Sequence, residues 1–122
     1  MSGVKVKLNS EEFKTALRAK LVSNMEIACK FVETEARTNL VAIEEPDWGA
    51  AYRREIVARR LTYVVTEDDK AIVGVVGVER GQSGEDHGYW IETGSKTAPP
   101  QPWLRPAVFH NAKTIVKLLT GE

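Results

Sequence analysis

Residues 88–107 read GYWIETGSKTAPPQPWLRPA, from Gly88 to Ala107. The stretch opens on an aromatic-apolar run, Tyr89-Trp90-Ile91, whose composition suits a strand. A lone acid, Glu92, follows, and then a turn pair, Thr93-Gly94. From Ser95 to Pro102 the chain is polar, and Pro99, Pro100 and Pro102 favour an extended arm without backbone donors at those positions. Trp103-Leu104-Arg105-Pro106-Ala107 then opens a helix, with Pro106 suited to its first turn. Four of the chain's five prolines and two of its three tryptophans fall in this passage. Trp103 and Leu104 are expected to tuck into the core. An extended arm contributes little to a compact domain but suits a partner's surface. Trp90 and Trp103 are the residue type that most often anchors interfaces. Residue chemistry alone therefore favours an assembly device over an active site.

Working back from this passage, Val4 to Leu8 alternates apolar and basic residues, the period of a short half-exposed strand. Asn9 is placed to cap a helix, with Glu12 three positions on to complete a capping box. The helix is predicted from about Ser10 to Leu40, roughly 45 Å long. Its apolar stripe is Phe13, Leu17, Leu21, Met25, Ala28, Phe31, Val32 and Ala36, a core-facing arc. Val22 and Ile27 lie off it, which is either scattered surface or contact with a second subunit. Pro46 stops the helical pattern, and Asp47 is placed to cap a brief turn at Trp48-Gly49-Ala50. Tyr52 to Arg60, with four arginines, reads as the surface of a strand edge. Leu61–Thr66 and Ala71–Val78 are predicted as a hairpin around a polar turn, Glu67 to Lys70. The second strand is so continuously apolar that both its faces call for cover, one from the long helix and one from a neighbouring subunit. Glu79 to His87 reads as a charged, mobile loop, and Arg105 to Leu119 as the last helix. The fold class is α+β in one domain, 1–122: a long N-terminal helix packed on a small antiparallel β-sheet, an extended Pro-rich arm and a C-terminal helix.

At 122 residues, 43% hydrophobic and 28% charged, the chain has enough apolar material for a core without staples. Seventeen basic residues balance seventeen acidic ones, so no basic excess drives DNA binding. The single cysteine, Cys29, excludes an internal disulfide and reads as a small buried side chain. The first ten residues lack the apolar core of a signal peptide, and no run reaches membrane-spanning length. Glu85, Asp86, His87 and Glu92 are candidate metal ligands, with His110 further on, but their spacing matches no metal signature. Ser83 in Gly-Gln-Ser-Gly lacks the strand and helix of a nucleophile elbow. No cofactor or metal is expected, and no catalytic residue is assigned.

Tyr89-Trp90-Ile91-Glu92-Thr93-Gly94-Ser95, followed by Pro102-Trp103-Leu104-Arg105-Pro106-Ala107, resembles the signature of a small family of long-tailed bacteriophages. These are the neck, or head–tail joining and tail-completion, proteins, the gene-product-ten-like tail components. The family pattern is an aromatic-apolar pair, Glu, an aromatic, then Gly-Thr, a loop, Pro-aromatic-Leu-Arg-Pro-Ala and a terminal helix. Here Thr93 stands for the usual aromatic and Ser95 for the usual Thr. The resemblance implies a non-enzymatic structural protein of the virion, made in the host cytoplasm. It would form a homo-oligomeric ring of six or twelve subunits at the head–tail junction or the top of the tail. Its partners would be head-completion or connector proteins on one side and a tail terminator or tail-tube protein on the other. DNA would pass through without sequence-specific binding, which a near-zero net charge suits. A tail-terminator subunit capping the tail tube is the alternative; a small metal-dependent hydrolase using Asp86, His87 and Glu92 is a more distant one. The residues expected to carry assembly are Tyr89, Trp90, Glu92, Gly94, Pro99, Pro100, Pro102, Trp103, Leu104 and Arg105. Among them Glu92 and Arg105 are expected to form a salt bridge, within or between subunits.

Overall fold

A computed structural model of the chain describes residues 3, 9–43, 48–78, 85–94 and 100–121, with backbone alone at 48–53 and 85–87. The architecture is α+β. Helix α1 (Ser10–Val41) is followed by α2 (Trp48–Arg60), strands β1 (Leu61–Glu67) and β2 (Ile72–Val78), then α3 (Glu85–Thr93), α4 (Arg105–Phe109) and α5 (Ala112–Thr120). The predicted strand at 4–8 lies outside the described residues.

Helix α1 begins as its sequence dictates. Asn9 Oδ1 accepts the Glu12 N–H at 2.8 Å, and Glu11 and Glu12 place negative charge on the first turn. Its C-terminal half carries the core: Val32, Ala36 and Leu40 are buried with Val57, Leu61, Trp103 and Ala107. Burial on this scale contributes about 1.5–3 kcal/mol for each large apolar side chain. The N-terminal part of the stripe departs from expectation. Ala28 is buried and Met25 half-buried, but Phe13, Leu17 and Leu21 stay exposed, Leu17 and Leu21 lining an open groove beside the β1–β2 turn and Leu119.

The sheet is a two-stranded antiparallel hairpin among the described residues, in the register Leu61↔Val78 to Glu67↔Ile72. Asp68 closes the turn, its Oδ1 accepting the N–H groups of Lys70 and Ala71 at 2.7 and 2.9 Å. Leu61, Tyr63, Val65, Gly74, Val76 and Val78 face α1, and Gly74 sits so close that a Cβ there would collide with Cys29 Sγ. The opposite face, with Val64, Val73 and Val75, is exposed. The long helix therefore covers one face of β2 as predicted, and no described residue of this chain covers the other.

Three elements differ from the sequence reading. Residues 52–60 belong to helix α2 and not to a strand edge: Glu55 and Arg59 pair one turn apart at 3.3 Å, a contact that only helical spacing gives. Residues 85–93 form helix α3, so the predicted loop ends before Glu85 and the predicted strand at 89–91 is helical. Gly88 and Ile91 turn inward while Tyr89 and Trp90 point out, a helical alternation that overrides their strand propensity. The last helix is divided at His110-Asn111, where Asn111 Nδ2 donates to the Ala107 carbonyl at 3.0 Å and its own N–H bonds three residues back, to Val108.

Candidate functional site

The passage from Gly88 to Ala107 closes on itself through Glu92. Helix α3 ends at Gly94, whose φ of 86° is left-handed and whose N–H reaches the Trp90 carbonyl at 2.7 Å. A Cβ at Gly94 would stand 2.9 Å from Pro100 N and Cδ, so the returning chain packs against a position that only glycine leaves open. Residues 95–99, including Pro99 and most of the predicted arm, lie outside the described residues. When the chain reappears, Gln101 N–H donates to the Ile91 carbonyl at 2.8 Å, which satisfies one of the open carbonyls at the end of α3.

Helix α4 has no cap of its own, since its N-cap residue is Leu104. Glu92 supplies one from a distance. Its Oε2 accepts the N–H groups of Trp103 and Leu104 at 2.7 and 2.9 Å, and its Oε1 accepts the N–H of Arg105 at 2.9 Å. A carboxylate on three amides at a helix start is stabilised by direct hydrogen bonds and by the helix dipole. This corrects the within-subunit form of the expected salt bridge. Within the described chain Glu92 meets Arg105 at its backbone, and no ion pair joins the two side chains.

Trp103 is 2% exposed and engaged on three sides. Its indole Nε1–H donates to the Gly88 carbonyl at 3.1 Å, its N–H goes to Glu92, and its carbonyl accepts from Asn39 Nδ2 at 3.1 Å. A Cβ at Gly88 would lie 3.3 Å from the Trp103 ring, so the missing side chain there makes room for the indole. Leu104 packs half-buried against the core as expected. Tyr89, Trp90, Pro100, Pro102 and Arg105 are exposed at the surface of the same unit.

Of the other candidates, Glu85, Asp86 and His87 occupy successive backbone positions in helix α3. Glu92, the fourth candidate ligand, has its carboxylate committed to three amides. Among the described residues no three His, Cys, Asp or Glu side chains form a cluster suited to a metal ion. Ser83 lies outside the described residues. Cys29 is buried against the sheet, and that burial, with Glu26 nearby, pushes its thiol up from the ordinary range. No described helix is long and apolar enough to cross a membrane.

Three polar side chains of α1 were not singled out from sequence, yet they hold the other elements. Asn24 Nδ2 donates to the Leu119 carbonyl at 3.0 Å, at the end of α5. Arg37 Nε donates to the Ala58 carbonyl at 3.2 Å near the end of α2, while its Nη2 pairs with Glu33 at 2.9 Å. Asn39 holds Trp103. The signal was available: Asn24 and Asn39 stand on the apolar stripe, three residues after Leu21 and Ala36, where an amide needs a buried partner.

Comparison of the chain with protein-family models, with curated proteins and with solved structures finds no match.

Proposed function

We propose that the protein is a structural subunit of a long-tailed bacteriophage, assembled as a ring at the head–tail junction. There it joins head-completion proteins to the tail and leaves a passage for DNA. The observation that carries the assembly reading is exposed apolar surface: Phe13, Leu17, Val75, Tyr89, Trp90 and Phe109 are all exposed, and apolar surface gathered in this way marks sites of protein association. Support for the phage assignment comes from the 89–95 and 102–107 motifs, whose two halves are tied into one unit by Glu92.

Native mass spectrometry of the purified protein, with electron microscopy of the same sample, tests this reading. A six- or twelvefold species with a central channel is expected. A stable monomer at the highest soluble concentration refutes it, most clearly one that binds a divalent metal and hydrolyses a substrate.

A further inference from the structure

Helices α4 and α5 follow one another in the chain but are held very differently. Helix α4 is anchored: Trp103, just ahead of it, and Ala107 within it lie in the core at 2% and 0% exposure, and Glu92 holds the three N–H groups at its start. Helix α5 has no buried residue. Ile115, Leu118 and Leu119 are half-buried, Ile115 against the core and Leu119 beside Leu17, Leu21 and Met25 on α1. Lys113 and Lys117 make no ion pair among the described residues. One side-chain hydrogen bond among the described residues ties α5 to α1, from Asn24 Nδ2 to the Leu119 carbonyl at 3.0 Å. Between the two helices Asn111 leaves the helical region, with φ −117° and ψ 19°.

We infer that α5 is a hinged lid on α1, turning at His110–Asn111 and opening as a unit while α4 stays in place. Burial is the main force that holds an element down, and local stability follows how much of it the element has. Helix α5 has little, and its neighbour in the chain has much, so the weak boundary falls between them. A hinge needs one or two residues that absorb the backbone change, and the helical ladder is already interrupted there. A helix of nine residues is too short to persist free in water, so α5 melts once it leaves α1. The consequence lies in the apolar surface. With the lid closed, α1 shows Phe13, Leu17 and Leu21. Opening lengthens that run along α1 past Asn24 and bares Ile115, Leu118 and Leu119 as well. The lid thus sets how much adhesive surface the chain presents, and the inference does not depend on the ring reading.

Amide hydrogen exchange of the full chain at neutral pH reads the opening directly. The amides of Val116 to Thr120 are expected to exchange about tenfold or more faster than those of Val32 to Leu40, relative to their free-peptide rates. Their exchange should depend little on added urea, because opening one short helix exposes little surface. Asn24→Ala removes the side-chain tie and is expected to speed exchange in α5 about two- to tenfold, the range for one net hydrogen bond. The hairpin and α1 beyond Val32 should keep their rates. The same variant should bind more anilinonaphthalene sulfonate, a dye for apolar surface, with its circular dichroism nearly unchanged. Exchange of α5 in step with Val32 to Leu40, at one rate and one urea dependence, overturns the inference. So does an Asn24→Ala protein whose exchange rises equally in every element, or whose dye binding does not rise. If Asn24→Ala fails to fold, the parent's own exchange profile decides.

Discussion

Replacing Glu92 by alanine removes the only side-chain acceptor among the described residues at the start of α4 while leaving every residue of that helix in place. Three backbone N–H groups, on Trp103, Leu104 and Arg105, lose a carboxylate partner at 2.7–2.9 Å. A hydrogen bond to a charged group contributes about 1.5–3 kcal/mol net. Water can reach the exposed Arg105 N–H and the half-buried Leu104, so the recoverable part is large for those two and small beside buried Trp103. We expect a loss of about 2–4 kcal/mol, from the ~2 kcal/mol upper end for a single helix cap upward, because one carboxylate serves three amides. Unfolding entropy near 2.1 cal/mol/K per residue gives about 0.26 kcal/mol/K for 122 residues. The expected fall in Tm is then ~8–15 °C. Glu92→Gln keeps one carbonyl acceptor but turns an amide donor towards an N–H donor, and should fall roughly midway. Arg105→Ala is the decisive control. It keeps the N–H that Glu92 binds and removes only the guanidinium, so its cost should stay within ~0.5 kcal/mol. The assay is thermal and urea unfolding of all four proteins at one protein concentration. Equal losses for Glu92→Ala and Arg105→Ala would restore the side-chain ion pair and refute the cap; an unchanged Glu92→Ala would refute both.

Gly94→Ala forces a Cβ into left-handed backbone and against Pro100 at 2.9 Å, and should cost about 2 kcal/mol in urea unfolding; no change in midpoint would mean that the turn relaxes freely. Cys29, buried with its thiol pushed up chiefly by desolvation, should react with an aromatic disulfide reagent at neutral pH far more slowly in native protein than in denaturant. Equal rates would show that the sheet does not cover it. Asp68 is held below the ordinary aspartate range, first by the Lys70 N–H and then by that of Ala71. Its folded value is depressed, so the turn's contribution is present above the unfolded pKa and is lost as pH falls through the folded one. Amide exchange of Lys70 and Ala71 should therefore lose protection below about pH 4, and Asp68→Asn should flatten that response. An unaltered profile in Asp68→Asn would assign the pH dependence to another group.

What was legible in the sequence follows from the range of each signal. Helix α1 and the hairpin are written in local periodicity, and Asn9 marks the helix start at single-residue precision. The first turn of α4, too, is marked by Pro106. Helices α2 and α3 were misread because their β-branched and aromatic residues carry strand propensity, whereas their helical state depends on packing: Val57 and Ile91 join a core formed with α1. The i, i+4 pair Glu55–Arg59 was the local sign of α2 that composition concealed. Within the candidate site, the inward Trp103 and Leu104 were readable from residue type. The role of Glu92 was not, because its partners lie 11 to 13 residues away across the arm and no spacing rule links a carboxylate to amides at that distance. The stripe of α1 was readable as apolar, but how far the chain itself covers it depends on where the hairpin and α5 end.

The amides of α1 also set an order of events. Asn24 finds its partner 95 residues further along the chain, and Asn39 finds its own 64 residues on. During synthesis the first helix is therefore complete long before the segments that satisfy it have emerged. Until Trp103 and Leu119 arrive, two amides stand unmatched in the middle of an apolar stripe, and the loops to be closed span 64 and 95 of the chain's 122 residues. Long-range closure of this kind slows folding and prolongs the time for which sticky surface is open to other chains. The last twenty residues act as a latch, and a ribosome stalled before them releases a protein whose longest helix rests on the hairpin and α2 alone, without Trp103, Ala107 and α5.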